Sequence, residues 1–275
     1  MKENNLEKNS GLKMYFAKDV AESFAELEQN KRNFQVAEIV DQVLVQEIAN
    51  FENPIYVAEL GGGAHADRYH QFFKKITQEP KGHLDWVDIS PLMLELAKKY
   101  IDSDDYQDRK EVIDFVEGEI CEYLGGLKDW QLDLAIMKYT FNHIENIESL
   151  FELLSVKIKV GGKFVSTIAN LNAELKSFSS NARYLYNGQQ FPDDEKRELK
   201  DGDSYVIKFF KVAGDKNSGY LENAEVVSYY HSAEKIKKLA ETFGFKVFIG
   251  DWKDLIMAGD EDVGVKQDIF VLTRK

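Results

Sequence analysis

The stretch Ile55-Tyr-Val-Ala-Glu-Leu-Gly-Gly-Gly-Ala-His65 decides how the rest of this chain is read. Ile55 to Leu60 is a short apolar run, in part β-branched, of the length of a buried strand. Three glycines follow at once, and the spacing of Tyr69, Phe72, Phe73 and Ile76 predicts a helix over about 66–77. A strand that turns into a helix through glycines brings bare backbone to the carboxyl end of a sheet, where α/β proteins bind ligands. Further on, His83 to Val87 reads as a second strand ending in Asp88. An acid at that place accepts hydrogen bonds from ribose hydroxyls. The two features together imply a ligand that contains a nucleoside.

The alternation continues outward from this stretch. Strands are expected near 112–117, 132–137 and 163–168, with helices near 91–101 and 146–159. Ser90-Pro91 is a helix start, a cap residue followed by proline at the first position. Gly161-Gly162 reads as the end of a helix and the turn into a strand. Upstream lie helical patterns at Ala17–Gln29 and Phe34–Phe51, the second with Val36, Ile39, Val40, Val43, Leu44 and Ile48 on one stripe. Alternation stops near Asn170. From there to Ser232, two strand-like runs, Tyr205–Val212 and Ala224–Tyr230, flank Gly214 to Gly219 and predict an antiparallel pair with a long connection. A helix at 232–243 and strands at 245–250 and 268–273 close the chain. The expected fold class is α/β: a seven-stranded, mostly parallel, doubly wound sheet with N-terminal helices and a small antiparallel β insertion. The expected divisions are a disordered tail (1–11), N-terminal cap helices (12–52), a ligand-binding core (53–169), the insertion (170–231), and a last helix with two strands (232–275).

Composition narrows the classes of function. The chain has 275 residues, 44% apolar and 30% charged, the balance of a soluble globular protein. No apolar run approaches the roughly 18 residues of a membrane span. Met1 to Ser10 is polar and lacks the apolar stretch of a signal peptide. The single cysteine, Cys121, excludes an internal disulfide and a multi-cysteine zinc site, so no metal is expected and a cytoplasmic location is the default. A net charge of -13 opposes phosphate backbones. Lys157, Lys159 and Lys163 read as a solvated helix end and strand start rather than a phosphate patch. A small-molecule partner is expected, neither nucleic acid nor membrane, and the oligomeric state is left open.

Five motifs stand in order. They are Glu59-Leu-Gly-Gly-Gly63; Val87-Asp-Ile-Ser-Pro-Leu-Met-Leu-Glu-Leu-Ala97; Phe115-Val-Glu-Gly-Glu-Ile120; Leu132-Asp-Leu-Ala-Ile-Met137 with Asn142-His-Ile144; and Val160-Gly-Gly-Lys-Phe-Val165. In this series the chain resembles the class I S-adenosylmethionine-dependent methyltransferases, from about Ile55 to Ile168 and again from Ser232 to the end. A lone Gly-rich turn occurs in many nucleotide-binding folds, and the order of the five is what makes the likeness specific.

The resemblance implies a Rossmann-like fold, S-adenosyl-L-methionine as cofactor and S-adenosyl-L-homocysteine as product. It implies that the Gly61, Gly62 and Gly63 backbone passes beside the methionine part, with Glu59 near the cofactor's amino group or orienting the glycine loop. Asp88 would accept from both ribose hydroxyls and Ile89 would lie on the adenine face. Glu119 would accept from the adenine amino group, with the Ile120 N–H on the ring, or else be an exposed loop acid. Lys138, just past the fourth strand, belongs to the same cofactor set. Two departures stand out. His65 occupies the place of a third glycine, and its imidazole is expected near the cofactor carboxylate or in solvent. Glu119 stands where Asp is more common.

Methyl transfer to a good neutral leaving group asks chiefly for alignment, and for a general base when the acceptor must lose a proton. Tyr139, Asn142 and His143 follow the strand that faces the transferred methyl in this family, so His143 and Tyr139 are the catalytic candidates, with His231 behind them. Tyr184, Tyr186, Tyr205, Tyr220, Tyr229 and Tyr230 either pack as strand residues or line a substrate lid, the insertion acting as substrate cap. The expected activity is transfer of a methyl group to N, O or C of a small molecule. The alternatives are a tRNA or protein methyltransferase, an NAD(P)-dependent Rossmann oxidoreductase, and a non-catalytic cofactor-binding protein.

Overall fold

Side chains along Tyr56–Leu60 (β1) leave the backbone alternately to two sides, and both sides are apolar: Val57 enters one core, Ala58 and Leu60 the other. The same division runs through His83–Asp88 (β2), with Leu84 and Trp86 opposite Val87, and Leu132–Met137 (β4), with Leu134 and Ile136 opposite Ala135 and Met137. Strands apolar on both faces need cover on both, which is the logic of a parallel, doubly wound sheet. β1 pairs in parallel with β2 and β4, β2 with Ile113–Glu117 (β3), and β4 with Ile158–Ala169 (β5). Gln267–Arg274 (β12) runs antiparallel between β5 and Phe245–Gly250 (β11). The seven-stranded order is β11-β12-β5-β4-β1-β2-β3. One face is covered by Lys31–Glu47 (α1), His70–Ile76 (α2) and Pro91–Ile101 (α3), the other by Ile120–Gly126 (α4), Ile147–Lys157 (α5) and Ala233–Thr242 (α6).

The computed structural model describes residues 22, 31–169, 174–179, 182–212, 214–250 and 267–275. The tail at 1–11 and the helical pattern Ala17–Gln29, apart from Glu22, lie outside them. Among the described residues no helix is long and apolar enough to cross a membrane.

α3 begins where the sequence places it. Ser90 Oγ accepts from the Met93 N–H at 3.2 Å with Pro91 next, a cap worth about 1 kcal/mol. α2 starts later than the apolar spacing predicts, because Tyr69 takes a φ of 66° and keeps the chain in a loop up to that point. Its first turn has no cap of its own. Asp41 of α1 supplies one, accepting from the Gln71 and Phe72 N–H groups at 2.8 Å each. Gly161-Gly162 does not end a helix. α5 stops at Lys157, β5 begins at Ile158, and Gly161, with φ 82°, sits where the β4–β5 register shifts. α4 has no counterpart in the sequence reading, since its 7 residues are too few to show a period. Lys157, Lys159 and Lys163 are neither a phosphate patch nor simply solvated; each pairs with an acid, Asp129, Asp133 and Glu47 in turn.

The insertion is richer than one hairpin. Ala182–Tyr186 (β7), Ser204–Val212 (β9) and Asp215–Tyr229 (β10) form an antiparallel sheet in the order β10-β9-β7, and Glu174–Lys176 (β6) pairs with Lys196–Glu198 (β8). The expected long connection is absent: β10 starts at Asp215, opposite Val212, and reaches Glu225 through two register shifts. A small core of Leu175, Phe191, Leu199, Tyr205 and Tyr230 holds it, with Tyr184 and Tyr186 packed against it.

Candidate active site

The carboxyl ends of β1, β2 and β4 open onto a cavity of about 350 Å³, within the range of small-molecule sites. Its walls are Gly61–Gly63 after β1, Asp88, Ile89 and Met93 after β2, residues 118–121 after β3, and residues 138–140 and 143–146 after β4, with Ser149 and Tyr229.

The glycine turn is held from below. The Gly61 and Gly62 N–H groups both donate to the Val87 carbonyl, at 2.8 and 2.9 Å. A Cβ on Gly61 would lie 2.5 Å from the Thr140 side chain, and one on Gly62 would lie 2.3 Å from the Trp86 indole. These two glycines therefore make room for the protein's own side chains as well as for a ligand. Both neighbours also bond the turn: Trp86 Nε1–H donates to the Gly63 carbonyl at 2.9 Å, and Thr140 Oγ1 to the Gly61 carbonyl at 3.1 Å. Nothing local in the sequence marks Trp86 or Thr140 for this task.

Asp88 is oriented by main chain. One carboxylate oxygen accepts from the Gly63 N–H at 2.8 Å and the other from the Ser90 N–H at 2.9 Å. Glu119, half-buried, is the cap of α4 and accepts from the Glu122 N–H at 2.9 Å. It is therefore no loose loop acid. Ile89, Ile120 and Lys138 line the same cavity, and Lys138 Nζ lies over the rings of Tyr69 (5.2 Å) and Tyr139 (5.9 Å). Cys121 also borders it; burial and then the Glu119 charge push its thiol up to about 11, so it stays protonated at neutral pH.

Two residues assigned to the cofactor from the sequence lie outside the cavity wall. Glu59 is 1% exposed beneath the glycine turn, where the Tyr69 hydroxyl donates to Oε1 at 3.3 Å and Oε2 has no hydrogen-bond partner among the described residues. Burial pushes its carboxyl up to about 7 despite the nearby Lys138 charge. His65 reaches neither solvent nor the cavity. Its ring stacks on Tyr100 at 5.0 Å and Nδ1 lies 3.3 Å from Asp67. The late start of α2 is the reason, because it leaves His65 in a loop that folds inward. Arg109, buried between Phe73 and Tyr106, fixes that loop by donating to the carbonyls of Ala66, Asp67 and Arg68. It too carried no signal in the sequence.

The segment after β4 is tied to the insertion. Tyr139 has φ 60°, and its N–H donates to Thr167 Oγ1 at 2.8 Å. His143 Nδ1 lies 3.1 Å from the Val227 carbonyl, which makes Nδ1 the protonated nitrogen and leaves Nε2 as the acceptor. Burial holds this imidazole below its ordinary pKa, so it is neutral at pH 7. Asn142 Nδ2 donates to the Tyr229 carbonyl at 3.3 Å, and His231 Nε2 to the Ile144 carbonyl at 2.8 Å. His231 is thus a brace behind the cavity and not part of its wall. The Tyr229 hydroxyl donates to Glu145 Oε2 at 3.4 Å. Elsewhere, His83, Asp85 and Asp114 gather at the amino ends of β2 and β3, but Asp85 already bonds His83 and the hydroxyls of Tyr56 and Tyr123.

Residues 61–166 match the family described as a methyltransferase domain. No protein of curated function matches the sequence. Among solved structures, the chain is similar to the PH0226 protein of Pyrococcus horikoshii OT3, with TM-score 0.56 and 16% identity over 90% of this chain and 94% of that one. It is similar to an S-adenosylmethionine-dependent methyltransferase of Clostridium acetobutylicum ATCC 824, with TM-score 0.52 and 15% identity over 91% and 97%. It is also similar to phosphoethanolamine N-methyltransferase 2 of Haemonchus contortus in complex with S-adenosyl-L-methionine, with TM-score 0.56 and 11% identity over 96% and 58%. At these identities the likeness is one of fold.

Proposed function

We propose that the chain is a class I S-adenosylmethionine-dependent methyltransferase, a reading supported by the match of residues 61–166 to a methyltransferase-domain family, and that it binds S-adenosyl-L-methionine in the cavity above β1 and β2 and moves its methyl group to N, O or C of a small molecule. The observation that carries this reading is Asp88, a carboxylate aimed by two backbone N–H groups and lining the cavity beside a glycine turn.

The donor set fits the cofactor. The Asp88 carboxylate, aimed by main chain at both oxygens and lining the cavity, offers acceptors to the ribose hydroxyls. Glu119 offers an acceptor to the adenine amino group, and Ile89, Met93 and Ile120 offer apolar surface to the ring. The Gly61–Gly63 backbone takes the methionine arm and Lys138 its carboxylate. Glu59 acts through the turn above it rather than by contact. When bound, the cofactor supplies a methyl carbon on a cationic sulfur; the acceptor's lone pair bonds that carbon as the C–S pair stays on sulfur, giving S-adenosyl-L-homocysteine. His143 Nε2 accepts the proton of the acceptor, and Tyr139 positions it. Ile144 and Tyr229 keep water from the acceptor side. Alignment of this kind supplies up to about 7–11 kcal/mol in the best intramolecular cases.

Calorimetric titration with S-adenosyl-L-homocysteine tests the reading. Micromolar binding is expected, weakened about 100-fold by Asp88→Ala, since hydrogen bonds to a charged group contribute about 1.5–3 kcal/mol. Preference for NADPH, or no binding, would return the glycine turn to the oxidoreductase reading.

A further inference from the structure

Resting on the cofactor reading above, we propose that the methyl acceptor is an amine that arrives protonated, and that Glu145 and Tyr229 form its recognition site. With the glycine turn, Asp88 and Glu119 given to the cofactor, the remaining wall includes Tyr139, His143, Ile144, Glu145, Ser149 and Tyr229. Lys138, given above to the cofactor carboxylate, lies near the Glu59 charge and over the Tyr69 ring. Glu145 is therefore the charged side chain of the acceptor end. It is exposed at the cavity's rim, makes no ion pair among the described residues, and accepts from the Tyr229 hydroxyl at 3.4 Å. Burial and the Glu145 charge raise the Tyr229 phenol's pKa, so it stays neutral and donates to the carboxylate. A carboxylate or phosphate acceptor would meet Glu145 as a like charge. A cation is drawn both by Glu145 and by the field of a chain with net charge -13.

The proton chemistry agrees. An ammonium has no lone pair until it loses a proton, and its pKa, about 10 as for lysine, lies within reach of a neutral imidazole far better than that of an alkyl alcohol. One proton passes from the ammonium to His143 Nε2. The freed nitrogen pair bonds the methyl carbon as the C–S pair stays on sulfur, leaving a methylated ammonium, and His143 then returns its proton to water.

The test is binding of acceptor probes to the full chain saturated with S-adenosyl-L-homocysteine, followed by calorimetry. The amines are 2-phenylethylamine, histamine and butylamine, and the controls are 2-phenylethanol and phenylacetate. At least one amine should bind, with 2-phenylethylamine at least tenfold tighter than 2-phenylethanol and phenylacetate not at all. Glu145→Gln should abolish the preference while S-adenosyl-L-homocysteine binds within twofold of wild type. Tyr229→Phe should weaken amine binding a few-fold. Failure of every amine with the cofactor product bound, equal binding of amine and alcohol, or an unchanged preference in Glu145→Gln overturns the proposal and leaves the cofactor reading standing. Absence of S-adenosyl-L-homocysteine binding fells both.

Discussion

The two ends of the parallel strands in the main sheet carry similar polar residues and use them differently. At the amino end, Asp85 accepts from Tyr56 at 2.7 Å and Tyr123 at 2.6 Å and bonds His83 at 2.9 Å, while Asp133 takes the Tyr56 N–H at 2.8 Å and the Lys159 ammonium. Partners for those carboxylates all come from side chains or main chain packed around them. At the carboxyl end, Asp88 is held by two main-chain N–H groups and still faces a cavity, and Glu145 is held by one phenol. What a carboxylate can do for a ligand depends on the bonding capacity left after the fold has oriented it. The first end stabilises the fold, and the second is oriented toward a cavity.

Asp85→Ala should break the amino end alone. It strands the Tyr56 and Tyr123 hydroxyls and should lower stability in urea unfolding by about 3 kcal/mol, with affinity for S-adenosyl-L-homocysteine within twofold; a parallel loss of affinity would mean the two ends are one network. The pH dependence has a definite sign. Asp85 lies below its ordinary 3.8 in the folded state, so its contribution is present above that value and fades as pH falls through the lower folded one. His83 lies above its ordinary 6.5, chiefly through its bond to Asp85, so its contribution is full below 6.5 and fades as pH rises through the folded value.

His143→Gln addresses the carboxyl end and should lower kcat about 100-fold, the low end for loss of a general base. Because burial depresses its pKa, the wild-type rate should hold as pH falls to 6.5 and drop only below it, and the variant should lack that limb. Gly62→Ala sets a Cβ against the Trp86 indole and should destabilise by about 2 kcal/mol while weakening S-adenosyl-L-homocysteine at least tenfold. Adding Trp86→Phe should recover part of both losses, which a turn shaped only by its ligand would not allow. The smallest effect belongs to Glu59, which keeps its proton up to about 7 when folded against an ordinary 4.5. The folded state thus binds the extra proton, and stability falls as pH rises through that window. Between pH 6 and 8, thermal unfolding should fall relative to Glu59→Gln by about 1.4 kcal/mol, or roughly 3–5 °C.

What the sequence made legible was whatever its neighbours in the chain determine. Leu132–Met137 reads to the residue because an apolar run of strand length, interrupted only by Asp133, has one meaning there, and α3 does because Ser90-Pro91 marks its start. Residues 215–219, Asp-Lys-Asn-Ser-Gly, look like a loop and are strand, since pairing with β9 overrides their poor strand propensity. The site divides the same way. Asp88, Lys138 and His143 follow strand ends, so their placement at the cavity was predictable. Trp86, Thr140, Asp41 and Arg109 act on segments far away in the chain, and no local pattern reports that. His65 went astray for a like reason, because its place depends on the left-handed Tyr69 and on Tyr100 of another helix.

The bonds from Val227, Tyr229 and His231 to residues 142–144 have a consequence for lineage and for engineering. All three use a main-chain carbonyl at one end. A chimera that borrowed the insertion from a relative would also borrow the mould in which the core's own segment after β4 is cast, so the two are heritable as one part, and new acceptor preferences should be sought by exchanging both together.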